Sequence, residues 1–219
     1  MRAALACGAL AACVGAAALA VPLSPADVAK LCSEAEGPAH CGRLVEGEQL
    51  KRLPGLAVRD GATLRLSLFP SGSVAFTDVD TASGGSSYAL WDYMSEINAA
   101  VLWTTKDDDV GFLLVQRTAG GRQTPLPAEP VISPDRQRFA TADFCASRCE
   151  NKLAVWRMTR DGARRELEWR AGEPWSDAVV RWKDAETLVV EYTRDDDSEP
   201  RTLSRKLADP GWSRLDAAR

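Results

Sequence analysis

A single histidine, His40, occurs among the 219 residues. A Ser-His-Asp triad would have to use it, yet no acid neighbours it and no Gly-x-Ser-x-Gly turn accompanies it. Ser-x-x-Lys is missing too. Nucleophilic hydrolase chemistry is therefore not expected, and His40 reads as a solvent-facing loop residue. No dense basic run is present, and the formal charge is −4. That argues against nucleic acid and anionic membrane surfaces as partners. Ser83-Gly84-Gly85-Ser86-Ser87 lacks the Gly-Lys-Ser/Thr and the helix of a phosphate loop, so it reads as a flexible hairpin loop. No metal-ligand set is complete, and no catalytic residue, metal ligand or cofactor is assigned.

What is present begins at the N-terminus. Met1–Ala20 carries one charge, Arg2, then an Ala/Leu-rich run closing in Ala18-Leu19-Ala20. This is the layout of a secretory signal with a small-residue cleavage site. Loss of residues 1–20 leaves 199 residues with a charge of −5, enough for one domain with a proper core. The expected location is periplasmic or secreted. An uncleaved anchor is disfavoured, because alanine contributes little to insertion and Val21-Pro22 follows the Ala-x-Ala site. Leu10-Ala11-Ala12-Cys13 resembles a bacterial lipobox, which makes a lipoprotein acylated at Cys13 the alternative, and the only route to a membrane.

Four cysteines lie beyond the signal, and four allow three pairings. Cys32 with Cys41 and Cys145 with Cys149 are the local choices. Such small loops pin local shape more than global stability. Cys145-x-x-x-Cys149 could instead be half of a zinc site, but such a site needs about four ligands, and an exported chain favours disulfides.

Ser24-Pro25-Ala26-Asp27 marks a helix start: a capping serine, proline at the first helical position and an acid in the first turn. Val28, Leu31 and Ala35 share a face, which predicts a short helix to about Ala35. A second piece is expected from His40 to Leu53, stopped by Pro54-Gly55. Residues 21–56 thus form a helical segment and 57–219 a β domain. Leu64, Leu66 and Leu68 alternate with polar residues, the period of a half-buried strand. Further strands are expected at Val74–Val79, Tyr88–Met94, Ala99–Thr105, Gly111–Arg117, Arg138–Phe144, Lys152–Thr159, Arg165–Arg170, Val179–Lys183 and Thr187–Tyr192. Gly120-Gly121 and Asp161-Gly162 are hairpin signals.

A strand, acidic turn, strand pattern recurs from Val101, Val131 and Val179 at spacings of roughly thirty to fifty residues, as in propeller blades. Pro130-Val131-Ile132-Ser133-Pro134-Asp135-Arg136-Gln137-Arg138-Phe139-Ala140 resembles the Ser-Pro-Asp-Gly-x-x-Leu-Ala segment of TolB-type β-propeller blades, with Arg136 in place of the turn glycine. The resemblance covers about half of the chain beyond the signal, one clear blade and two degenerate ones, and implies an all-β meander without fixing an activity. The expected fold is mainly β: an antiparallel meander, small or partial β-propeller-like, or alternatively a two-sheet sandwich, with a short N-terminal helical segment.

Asp78 with Asp80, Asp107-Asp108-Asp109 and Asp195-Asp196-Asp197 miss the calcium-loop offsets and read as solvated turns. Glu166, Glu168 and Glu191 could serve carbohydrate hydrolysis only as a spaced pair in a cleft; Glu166 and Glu168 read first as an outward strand face. Trp156, Trp169, Trp175 and Trp182 are interleaved with arginines, a pairing common at interface hot spots. Trp156 reads as core. Trp175, after Glu173-Pro174, reads as a loop residue and the best binding candidate, with Arg170 and Arg181 beside it. The expected function is non-catalytic binding of another envelope or secreted macromolecule, with a protein as partner. The alternative is a glycan-binding module or carboxylate-dependent carbohydrate hydrolase.

Overall fold

The computed structural model describes residues 23–212, apart from 82, 83, 108, 119, 148 and 160. The signal segment, Cys13, Ser83 and Asp108 lie outside the described residues.

Helix α1 spans Pro25–Cys32 and α2 spans Pro38–Arg52. The α1 start is a full capping box: Ser24 Oγ accepts the Asp27 N–H at 3.1 Å, and the Asp27 carboxylate accepts the Ser24 N–H at 3.2 Å. Proline opens α2 two residues before the expected start, where its missing N–H costs nothing. The Cys32–Cys41 disulfide joins the end of α1 to the first turn of α2.

Among the described residues, fifteen strands follow in four antiparallel sheets, each a run of consecutive strands. The first holds β1 (Ala57–Asp60), β2 (Thr63–Ser67) and β3 (Ser73–Thr77). The second holds β4 (Val79–Thr81), β5 (Gly84–Met94), β6 (Ala99–Lys106), β7 (Asp109–Gln116) and β8 (Arg122–Leu126). The third holds β9 (Val131–Ile132), β10 (Arg138–Asp143), β11 (Lys152–Thr159) and β12 (Gly162–Arg170). The fourth holds β13 (Trp175–Asp184), β14 (Thr187–Arg194) and β15 (Asp197–Lys206). The chain is thus a mainly β antiparallel meander with a short helical segment, and among the described residues the sheets do not close into a barrel.

The sheets stack face to face in chain order. Leu64, Leu66 and Phe76 of the first pack on Leu90, Leu102 and Leu113 of the second. The opposite face of the second sheet, with Trp91, Val101 and Leu114, meets Phe139 of the third and receives Cys41 and Val45 of α2. Leu153, Val155 and Leu167 of the third meet Val180, Leu188 and Val190 of the fourth. Both inner sheets are therefore buried on two faces. This is why Leu153–Val155 of β11 is an unbroken buried run rather than an alternating one.

Three stretches differ from the sequence reading, two of them for one reason. Strand β8, and β15 with its Pro200, carry little apolar alternation; both are edge strands, where one neighbour fixes the pairing and solvent the other side. The third is Gly84–Ser87, which is not a loop. It opens β5 and pairs with β4 and β6. Gly84 (φ +136) lies under the Asp107 carboxylate, where any Cβ would collide, so the glycine serves the hairpin's packing.

Candidate functional site

The β4–β5 hairpin and the end of β6 form one rim of the second sheet, and a cavity opens on each side of it. One, of about 570 Å³, is lined by Val79, Tyr88, Thr104, Leu113, Gln123 and Pro125. The other, of about 470 Å³, is bounded by Ala39, His40 and Arg43 of α2 together with Asp78, Asp80 and Ser87. They share Val79, Gly85, Ser86, Thr105 and Asp107. A third, of about 830 Å³, runs from Asp107, Asp109 and Val110 past Pro127 to Asp143, Glu150 and the Cys145–Cys149 disulfide. Asp107 borders all three. At this rim Val79 is 51% exposed and Val110 40% exposed.

An ion network fixes the wall of the second cavity. Glu46 of α2, 3% exposed, accepts from Arg43 at 3.0 Å, from Arg59 at 2.7 and 2.8 Å, and from the Leu90 N–H at 2.9 Å. Asp78 pairs with Arg43 and accepts the Tyr88 N–H at 2.9 Å. The sequence reading of Asp78 as a solvated turn carboxylate is therefore corrected: it binds α2 to the first two sheets. A buried acid tolerates such a site only when its lone pairs are met, as Glu46 shows. His40 lies in the first turn of α2 rather than in a loop; it is exposed, and its Nδ1 accepts the Glu36 N–H at 3.3 Å.

The third cavity places two acids side by side. Burial foremost, then the Glu150 charge, raises the Asp143 carboxyl. Lys152 foremost, with Arg170, lowers Glu150. The Asp143 carboxylate accepts the Glu150 N–H at 3.0 Å.

The tryptophan and arginine candidates do not converge. Trp175 begins β13, is 5% exposed and stacks on Tyr192 at 3.8 Å, with Phe144 at 4.8 Å and Trp169 at 5.3 Å. Its assignment as an exposed loop residue is overturned: the strand starts directly after Pro174 and turns the ring inward. Arg170, at the end of β12, donates to the Glu150 carbonyl at 2.7 Å. Arg181 lies on the outer face of the fourth sheet, donating twice to Glu191 at 2.9 and 3.0 Å. Trp156, read as core, is half-buried and stacks on Phe139 at 5.8 Å. Trp169 and Trp182 pack at the seam of the third and fourth sheets.

The proposed carbohydrate carboxylates are tied to arginine. Glu166 accepts from Arg138 at 2.8 Å and from Arg157, Glu168 pairs with Arg165 and Arg170, and Glu191 pairs with Arg181. Burial pushes the Glu166 carboxyl up, but the Arg138 and Arg157 hydrogen bonds outweigh it and hold it low. It is kept ionised and unfit as a general acid at neutral pH.

The carboxyls raised by burial in the second sheet's seam are others, Asp92 and Glu129. An aspartate inside the apolar strand Tyr88–Met94 was the available signal for the first. Glu129 sits on a crossover with no pattern around it. The cysteine pairings are as expected, Cys32–Cys41 and Cys145–Cys149. No protein-family model and no curated protein matches the chain.

Proposed function

We propose that the protein is an exported, non-catalytic binding protein that engages another envelope or secreted macromolecule, a protein, through the rim around Asp107. The observation that carries this reading is the convergence of three cavities on one rim that also exposes Val79 and Val110. Exposed apolar side chains beside concave, polar-edged surface are what a partner covers. The secretory layout of residues 1–20 and the two disulfides support a periplasmic or secreted location. Attachment to a membrane would run through Cys13 alone.

The test is capture from the native cell envelope with the chain carrying Val79→Asp and Val110→Asp, beside a Val179→Asp control on the fourth sheet's outer face. One stoichiometric protein held by wild type and control, and lost from the rim variant, is the expected result. Equal retention by all three overturns the rim. Glycan retention without a protein selects the second reading, a glycan-binding module or carboxylate-dependent hydrolase. That reading is favoured by the opposite shifts of Asp143 and Glu150 in one cleft. Glycan cleavage lost in Asp143→Asn would then separate hydrolysis from binding.

A further inference from the structure

Three arginines stand in register across the third sheet. Arg138 of β10 lies opposite Arg157 of β11, and Arg157 lies opposite Arg164 of β12. Side chains alternate along each strand, so Arg138 shares a face with Ala140, and Arg157 with Val155. That face meets the fourth sheet. An irregularity completes the row. The register between β11 and β12 shifts between Val155 and Trp156, where β12 carries one extra residue, Glu166. Such a bulge sets two consecutive side chains on one face. Glu166 joins Leu167 there and reaches both Arg138 and Arg157. Arg165 turns to the other face and lies over the Trp156 ring at 5.8 Å, and Arg164 returns to the row.

The row opens outward along its length: the Arg138 side chain is 17% exposed, that of Arg157 is 42% exposed, and Arg164 is fully at the surface. Like charges directly opposite each other destabilise a sheet, and here the carboxylates do not balance the cations. Glu166 is shared by Arg138 and Arg157, and Asp135 lies 3.8 Å from Arg138. Glu168, further along β12, pairs with Arg165 and Arg170. Among the described residues no carboxylate pairs with Arg164. Arg122 of β8, also without a carboxylate paired to it among the described residues, lies closely over Gly162, two residues from Arg164. The carboxylates thus gather toward Arg138, and the Arg157–Arg164 end carries the surplus positive charge.

We propose that Arg157 and Arg164 form a binding site for one oxyanion, a phosphate or sulfate group. Guanidinium groups on adjacent strands each present a planar fork of N–H donors, and two such forks match the several oxygens of a tetrahedral anion. The bound anion removes the repulsion between the opposed arginines, and Glu166 competes with it for Arg157. The site is separate from the rim around Asp107. Strand β10 runs from Arg138 at the row to Asp143, which lines the rim cavity. Pairing of three strands assembles the site from positions 138, 157 and 164, so no basic run marks it in the sequence.

Titration of the full chain with inorganic phosphate, against sodium chloride at equal ionic strength, tests the site. Arginine side-chain ¹⁵N NMR of wild type, which needs no variant to fold, should show saturable shifts at Arg157 and Arg164. Arg181, paired with Glu191 on the fourth sheet's outer face, should not move. Phosphate should also raise the thermal midpoint, as a ligand of the folded state does. Arg164→Gln should abolish both effects, and Glu166→Gln, which frees Arg157, should tighten binding several-fold. Glucose 6-phosphate separates the sources: equal or weaker binding assigns a free anion, and tighter binding an anion carried on an organic molecule. No saturable response in wild type, an equal response to chloride, an unchanged response in Arg164→Gln, or no tightening in Glu166→Gln overturns the proposal. The Val79→Asp, Val110→Asp chain should bind phosphate as wild type does, so failure of the rim and failure of this site are read apart.

Discussion

Arg136 carries φ +60 in the turn between β9 and β10, the left-handed region that a side chain enters at a cost. Ser133 closes that turn, with its Oγ donating to Asp135 at 2.6 Å and accepting the Arg138 N–H at 3.0 Å. The backbone there is one that glycine fits, and Arg136 spends its side chain on an exposed pair with Glu96, a kind worth little. Arg136→Gly is expected to raise stability by up to about 1 kcal/mol in chemical denaturation; a destabilised variant would assign the Glu96 pair real weight. Trp175 makes the opposite case. Enclosed by Tyr192, Phe144 and Trp169, its replacement by alanine should cost about 3–5 kcal/mol, seen as a lowered denaturation midpoint. An unchanged midpoint would contradict the burial. Residue types and local spacing made the disulfides and the capping box legible. The side chain's direction at Trp175 was not, because Glu173-Pro174 marks a turn without saying where the next strand begins.

Elements were legible where solvent touched only one face or none. The Leu64–Leu66 alternation and the unbroken apolar run Leu153–Val155 of β11 follow from burial on one and two faces respectively. Strand β15 was hidden, since Asp-Ser-Glu-Pro-Arg-Thr-Leu-Ser-Arg-Lys takes its pairing from β14. Glycine was ambiguous in the same way: Gly84-Gly85 signalled a turn, whereas the need was close approach of Asp107 and of the Val79 carbonyl. The loop between β10 and β11 is held by Cys145–Cys149 and by the bridge from Cys145 to Asp177. So short a covalent loop removes little unfolded-state entropy. Replacing both cysteines by serine should therefore disorder residues 143–150, read as lost amide protection, with the global midpoint nearly unchanged. Wholesale unfolding would mean that the loop nucleates the seam between the third and fourth sheets.

The whole molecule is a series of four layers, and the series has polar ends. On the first sheet's outer side Thr63 and Thr77 share a hydroxyl contact at 3.2 Å; on the fourth, Arg181 and Glu191 face solvent. Inner faces are mainly apolar, with Gln116 and Thr141 among the few buried polar side chains. Removing residues 171–212 should therefore bare Leu153, Val155 and Leu167, giving a chain that aggregates or binds a hydrophobic dye; a soluble, dye-silent truncation would refute the layer scheme. The recurring strand, turn, strand pattern made the antiparallel meander legible, but the number of strands in each sheet was not, because the polar edge strands β8 and β15 carry no apolar period of their own. In all four sheets each strand pairs only with its neighbour in sequence, and each sheet then packs on the next. Contacts so local keep contact order low for a mainly β chain, and low contact order speeds folding. A chain of this kind can zip sheet by sheet from its N-terminal end as it emerges, each finished layer templating the next, without waiting for its C-terminus.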